Sequence, residues 1–213
     1  MSEAILVNGR IVKKAFIKSF PIFFGYIVIG FGFGIMLRNA GYGLVWALAM
    51  SLFIYAGSMQ YVGISLITGP ATILMTILTT IMVNARHLFY SLSMITKYQN
   101  AGKYKPYLIF SLTDETYALL SAENYPDEEN SYSFYFLVSL FNHSYWVLGT
   151  ILGSIFAEVL PFKTAGIEFS MTALFIAAFT EQWLEGQPRT QLLIQFPVLV
   201  TAFFCFGCFS VLF

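Results

Sequence analysis

Charge is the scarcest property of this chain of 213 residues. Asp, Glu, Lys and Arg make up only 10% of it, less than half the share of a soluble domain, which excludes water as its main solvent. Net charge is zero and no long basic run occurs, so nucleic acid is not expected as a partner. Two histidines and two remote cysteines, Cys205 and Cys208, do not make a plausible zinc site. The C-x-x-C spacing of those cysteines reads as two small apolar residues on one helix face. They lie in an uncharged run from Thr190 to Phe213, where a thiolate is poorly stabilised. H-E-x-x-H, G-x-S-x-G and Walker A motifs are all missing, so neither catalysis nor a metal or cofactor is expected.

What fills the sequence instead is apolar: 58% of residues are hydrophobic and 18% aromatic. Between Asn39 and Ala85 no ionisable Asp, Glu, Lys, Arg or His occurs. At 1.5 Å per residue that run suffices for roughly two crossings of a ~30 Å hydrocarbon core. Seven apolar segments can be delimited: 19–37, 42–67, 71–96, 107–122, 134–157, 169–184 and 190–213. None alternates as a strand would, and only helices satisfy every backbone hydrogen bond in lipid without closing a barrel. The expected fold is therefore an all-α integral, multi-pass membrane protein of the cell (cytoplasmic) membrane. Residues 1–18 carry Arg10, Lys13, Lys14 and Lys18 among Ile5, Ile11, Val12 and Phe16. This basic amphipathic stretch is expected to lie along the inner membrane surface, ahead of a single transmembrane domain at 19–213. It lacks the cleavage site of a secretory signal.

The connectors suggest a topology. Lys97, Lys103 and Lys105 form a basic loop, and Glu123, Asp127, Glu128 and Glu129 an acidic one. The positive-inside rule places the N-terminus and the basic loop in the cytoplasm, which requires an even number of crossings between them. Three segments lie there, so one is expected to be broken or re-entrant, with Thr68-Gly69-Pro70 the expected break. The acidic loop is then expected outside. A weak repeat points the same way: Gly30-x-x-x-Gly34, Ala40-Gly41 and the run Phe53 to Gln60 have counterparts in Gly149-x-x-x-Gly153, Ala165-Gly166 and Phe175 to Gln182. Under that topology the copies would be inverted, as in many secondary transporters. Close helix packing is the alternative explanation of the Gly-x-x-x-Gly pairs.

An ionisable group inside a span costs about 2.5–3.5 kcal/mol, so each needs a reason. Arg86, His87, Asp114, Glu115, His143 and Glu181 are the candidates. Asp114 lies eight residues past Pro106, about 12 Å into its segment and near mid-membrane. Glu115 points about 100° away from it, so one carboxylate can pair with a cation while the other stays protonatable. Arg86 with Asp114 fits either an ion pair that only ties two helices together or the two poles of a site for a zwitterion. His87 reads equally as a proton relay or as a satisfied interior imidazole. His143 reads as a helix-packing hydrogen-bonder and Glu181 as a solvated interface residue.

Four strings, in this order, resemble the successive motifs of the AzlC-type branched-chain amino acid exporters: Pro21-x-x-x-Gly25-Tyr26-x-x-x-Gly30-x-x-Phe33-Gly34, Ala56-Gly57-Ser58-Met59-Gln60, Asn84-Ala85-Arg86-His87-x-x-Tyr90-Ser91 and Leu112-Thr113-Asp114-Glu115. The resemblance covers about 16–213. It implies export of leucine, isoleucine, valine and analogues such as azaleucine, with a small AzlD-type membrane protein as second subunit and a homo-oligomer left open. On that resemblance the substrate and coupling-ion residues are Gly57, Ser58, Gln60, Asn84, Arg86, His87, Asp114 and Glu115. A broken helix near Ala56–Gln60 would offer backbone groups, Arg86 would attract the carboxylate, and Asp114 or Glu115 would carry the coupling proton. Members usually continue into one more hydrophobic segment, so this chain looks shortened. The acidic loop and the aromatic richness are not family hallmarks. A channel or regulatory subunit without coupled transport is the alternative function.

Overall fold

The protein is described by a computed structural model covering residues 9–123 and 128–159, with side chains of the second stretch from Ser131 onward. Its described residues form seven α-helices and no strand. The predicted segments 169–184 and 190–213, with Glu181, Cys205, Cys208 and the second repeat beyond Gly153, lie outside the described residues.

Two long helices, α1 (Gly9–Asn39) and α7 (Glu128–Val159), form the axis. They run parallel. Ile11 shares a cluster with Phe134 and Tyr135 at the near end, where α1 begins; Tyr26 meets Trp146 midway; Arg38 pairs with Glu158 at 2.9 Å at the far end. Their contact is backbone against backbone. A Cβ on Gly30 would come within 2.9 Å of the Trp146 carbonyl oxygen and one on Gly149 within 2.7 Å of that of Ile27, while Gly34 would collide with Thr150 and Gly153 with Phe31. Side chains larger than hydrogen would separate the helices, which is how small residues drive association in lipid.

The remaining helices make two hairpins of half-length pieces, joined by one full-length helix. From the far end α2 (Leu44–Phe53) descends only to mid-height, where the Ser51 carbonyl meets His143. There α3 (Gly57–Thr68) turns back, placing Gly57 on the Trp146 ring and Tyr61 against Phe33. Next α4 (Ile73–Met94) runs to the near end, where Met94 and Tyr98 join Ile11 and Phe134. From that end α5 (Lys105–Phe110) rises until Tyr107 meets His143, and α6 (Asp114–Ala122) returns, burying Leu120 in the near-end cluster. Two hydrophobic clusters result, one around each hairpin, with the polar site at their junction.

Each tip has a local cause. At the first, Tyr55 has a φ of +43°, a left-handed conformation costing a non-glycine residue about 1–3 kcal/mol; burial of its ring 4.1 Å from the His143 imidazole opposes that strain. At the second, Thr113 is extended and its hydroxyl accepts the Thr116 N–H, with Asp114 and Glu115 in the first turn that follows. This is a helix start favoured by capping and by the dipole.

Several expectations need correction. Thr68-Gly69-Pro70 is only the turn between α3 and α4, and the break lies at Ile54–Ala56, next to the broken helix near Ala56–Gln60 that the resemblance implied. Segment 107–122 is also broken, at Ser111–Thr113, into helices of 6 and 9 residues, each shorter than a crossing needs. The basic and acidic loops are not on opposite sides: Lys97 Nζ donates to the carbonyls of Leu120 and, at 2.6 Å, Glu123, and Lys18 pairs with Glu123. Because α5 and α6 enter and leave at one end, the basic loop and Glu123 share it. Acidic residues carry little weight in setting orientation, so the glutamates were no guide. The repeat copies beginning at Gly30 and Gly149 sit on parallel helices rather than inverted ones, and their glycines face each other. Residues 9–18 are the first turns of α1 itself, with Ile11 and Ala15 buried. Among the described residues, three helices are long and apolar enough to cross a membrane: Gly9–Asn39, Ile73–Met94 and Ser131–Val159.

Candidate functional site

The two hairpin tips bring two helix N-termini, those of α3 and α6, to mid-height, and Arg86 of α4 joins them. Its guanidinium donates through one terminal nitrogen to Asp114, first residue of α6, and through the other to the Ser58 hydroxyl in the first turn of α3. The Arg86 side chain is 12% exposed and that of Asp114 32%, so the pair is partly screened rather than fully dry. Asp114 keeps its second oxygen, Oδ1, buried and without a hydrogen-bond partner among the described residues.

Glu115 faces elsewhere. Its Oε2 accepts the Tyr26 hydroxyl of α1 at 2.8 Å, and that hydroxyl lies 2.6 Å from the Thr113 Oγ1. The two adjacent carboxylates therefore differ as a helical step of about 100° requires: Asp114 meets a cation, and the hydrogen-bond partner of Glu115 is a neutral hydroxyl.

The two helix starts differ as well. Thr113 caps α6, but Ala56 supplies no side-chain cap to α3, so first-turn N–H groups of α3 have no cap from that residue. Gln60, one turn further along, is fully buried, and its amide has no partner among the described residues. A buried helix start without its own anion, beside a guanidinium, is suited to a carboxylate.

Of the residues singled out in the sequence, Ser58, Arg86 and Asp114 are brought into direct contact, and Glu115 lies beside them on the same turn. Gly57 is packed on Trp146, where a Cβ would approach the ring to 3.0 Å. Asn84, one turn before His87 on α4, has its side-chain oxygen buried without a described partner. His87 is not joined to either carboxylate by a hydrogen bond among the described residues; its ring packs edge-on against Tyr90 at 6.2 Å. Tyr26, Tyr55, Thr113 and Trp146 were missed as site residues. Thr113 carried a usable local signal, a threonine followed by two acids, which marks a helix start inside an apolar segment, and Tyr26 stood in the first of the motifs that carry the family resemblance.

Comparison with known proteins gives a consistent outcome. The family model described as AzlC protein matches residues 21–160. The chain is 38% identical over 195 residues to the branched-chain amino acid transport protein AzlC of Bacillus subtilis, covering 92% of this chain and 77% of that one. It is 40% identical over 195 residues to a membrane protein of Helicobacter pylori strain J99, covering 92% and 86%. To the inner membrane protein YgaZ of Escherichia coli it is 27% identical over 212 residues, covering 91% and 86%. No solved structure matches the chain.

Proposed function

Because this chain belongs to the AzlC family, we propose that it is a secondary transporter subunit that exports branched-chain amino acids across the cell membrane in exchange for protons. The observation carrying this reading is the position of Arg86, joined to the starts of both half-helices, with Glu115 on the same turn but outside the ion pair.

A zwitterionic amino acid needs an anion site, a cation site and an apolar wall close together. The start of α3 and Arg86 receive the carboxylate. The unpartnered oxygen of Asp114 receives the ammonium. Trp146, seated on Gly57, and the buried Tyr55 line the apolar side. Glu115 carries the coupling proton, since protonating it leaves the Arg86–Asp114 pair intact and keeps an oxygen for Tyr26. Gln60 and Asn84 supply further polar contacts, and a small AzlD-type membrane protein is the second subunit. The N-terminal end, with Lys18, Lys97 and the basic loop, faces the cytoplasm.

Counterflow of labelled leucine, isoleucine and valine in vesicles, with and without an AzlD-type subunit, tests this. Exchange of all three, accelerated by an imposed pH gradient, is expected. Flux that ignores the pH gradient would instead fit a channel, and the absence of exchange in both preparations would overturn transport itself.

A further inference from the structure

The transport reading makes no use of His143, yet this side chain occupies a position comparable to that of Arg86. Arg86 reaches from α4 to α3 and α6, one element of each hairpin. His143 reaches from α7 to the other two elements. Its Nε2 lies 3.0 Å from the Ser51 carbonyl oxygen at the end of α2, and its Nδ1 lies 3.1 Å from the Tyr107 hydroxyl on α5. A carbonyl can only accept, so Nε2 carries the hydrogen. In the neutral ring Nδ1 then accepts from Tyr107, and both nitrogens are used. The ring itself is held between the tips, 4.1 Å from the Tyr55 ring and 5.9 Å from that of Phe110. His143 is 8% exposed, so a lost hydrogen bond here would not be replaced by bulk water.

We infer that His143 is a positioning residue, the joint on α7 that couples the two hairpins: its two hydrogen bonds hold one hairpin each, so neither tip can withdraw without releasing the ring from its side. Arg86 ties the hairpins at their helix starts, where substrate competes for it. His143 ties them through ring nitrogens that are both already matched. A substrate that loosens the Arg86 tie would therefore leave the two tips still registered through His143, which lets one opening be linked to the other's closure. That use of the joint rests on the transport reading; the joint itself does not.

The test uses single reporter cysteines, Ser51→Cys on the first hairpin and Ser111→Cys on the second, in a Cys205→Ser/Cys208→Ser background. Both serines are fully buried, so reaction with a small maleimide in membranes reports opening of each hairpin. Tyr107→Phe should raise labelling at position 111 about tenfold, the fold-change equivalent to 1.4 kcal/mol, and leave position 51 unchanged. His143→Phe should raise both, and His143→Gln, which keeps one N–H donor and one oxygen acceptor, should restore slow labelling. Equal acceleration at both positions in Tyr107→Phe would mean general loosening and overturn the joint. So would unchanged labelling in the variants, or His143→Gln labelling as fast as His143→Phe. Labelling needs no substrate, so the expected pattern in a protein that moves no amino acid would sink the transport reading while leaving the joint standing.

Discussion

Replacing Glu115 by glutamine removes a titratable group while leaving an oxygen that can still accept the Tyr26 hydroxyl, now 2.8 Å from Glu115 Oε2. At most one hydrogen bond is weakened, a cost of about 0.5–1.5 kcal/mol, small against the 5–15 kcal/mol that typically separates folded from unfolded protein. Membrane yield should stay close to normal. Arg86→Ala is different, because it strands Asp114. Breaking a buried pair costs about 3–5 kcal/mol, and the 32% exposure of Asp114 brings the expectation to the low end of that range, enough to lower yield and to abolish substrate binding. Asp114→Asn should lie between the two. The assay measures three quantities for each variant: membrane yield, substrate exchange at equal pH, and net export driven by a pH gradient. Glu115→Gln should retain exchange and lose pH-driven export. Retained pH-driven export in this variant would refute Glu115 as proton carrier. The double replacement Arg86→Met/Asp114→Leu should restore yield, since apolar pairs often substitute for buried ion pairs without loss, but should not bind substrate. Normal export by that double variant would refute the roles given to Arg86 and Asp114.

Lys103→Cys and Glu123→Cys, each introduced alone without the native cysteines, should be labelled by an impermeant maleimide from the same side of the membrane; labelling from opposite sides would contradict the hairpin of α5 and α6. Gly25→Ala, where an added Cβ has nothing within 4 Å, should be neutral or stabilise by up to about 1 kcal/mol through helix propensity. Gly153→Ala meets the Phe31 backbone and should destabilise by about 1–3 kcal/mol; thermal denaturation in detergent that ranks them the other way would rule out the close α1–α7 contact. One methylene in an apolar pocket is worth about 1–3 kcal/mol, so competition assays should find leucine, isoleucine, valine and methionine discriminated weakly. A preference above about a thousandfold would contradict an apolar wall as the source of selectivity.

Within the described residues, the helical state of the apolar segments and the residues that would need an explanation in lipid were legible because they depend on local chemistry alone. Scarce charge dictates the solvent, lipid dictates helix, and an ionisable group in an apolar run stands out whatever surrounds it. The need for a broken or re-entrant piece between the N-terminus and Lys97 was also legible, from charge and parity. Where the chain breaks was not legible from charge and parity, which pointed to Thr68-Gly69-Pro70; only the family resemblance pointed near Ala56–Gln60. The break at Tyr55 depends on a left-handed residue held by packing against His143, a side chain 88 positions away by their numbers, and no local signal announces it. The break at Thr113 had a local signal, but in an apolar segment of spanning length the hydrophobic run outweighed it. Only tertiary structure decided that α1 and α7 run parallel, because Gly-x-x-x-Gly permits close approach in either direction. It also decided how Asp114 and Glu115 divide their partners. Both possibilities were open in sequence, since a helical step separates the two carboxylates by direction but cannot say which direction holds Arg86 and which holds Tyr26.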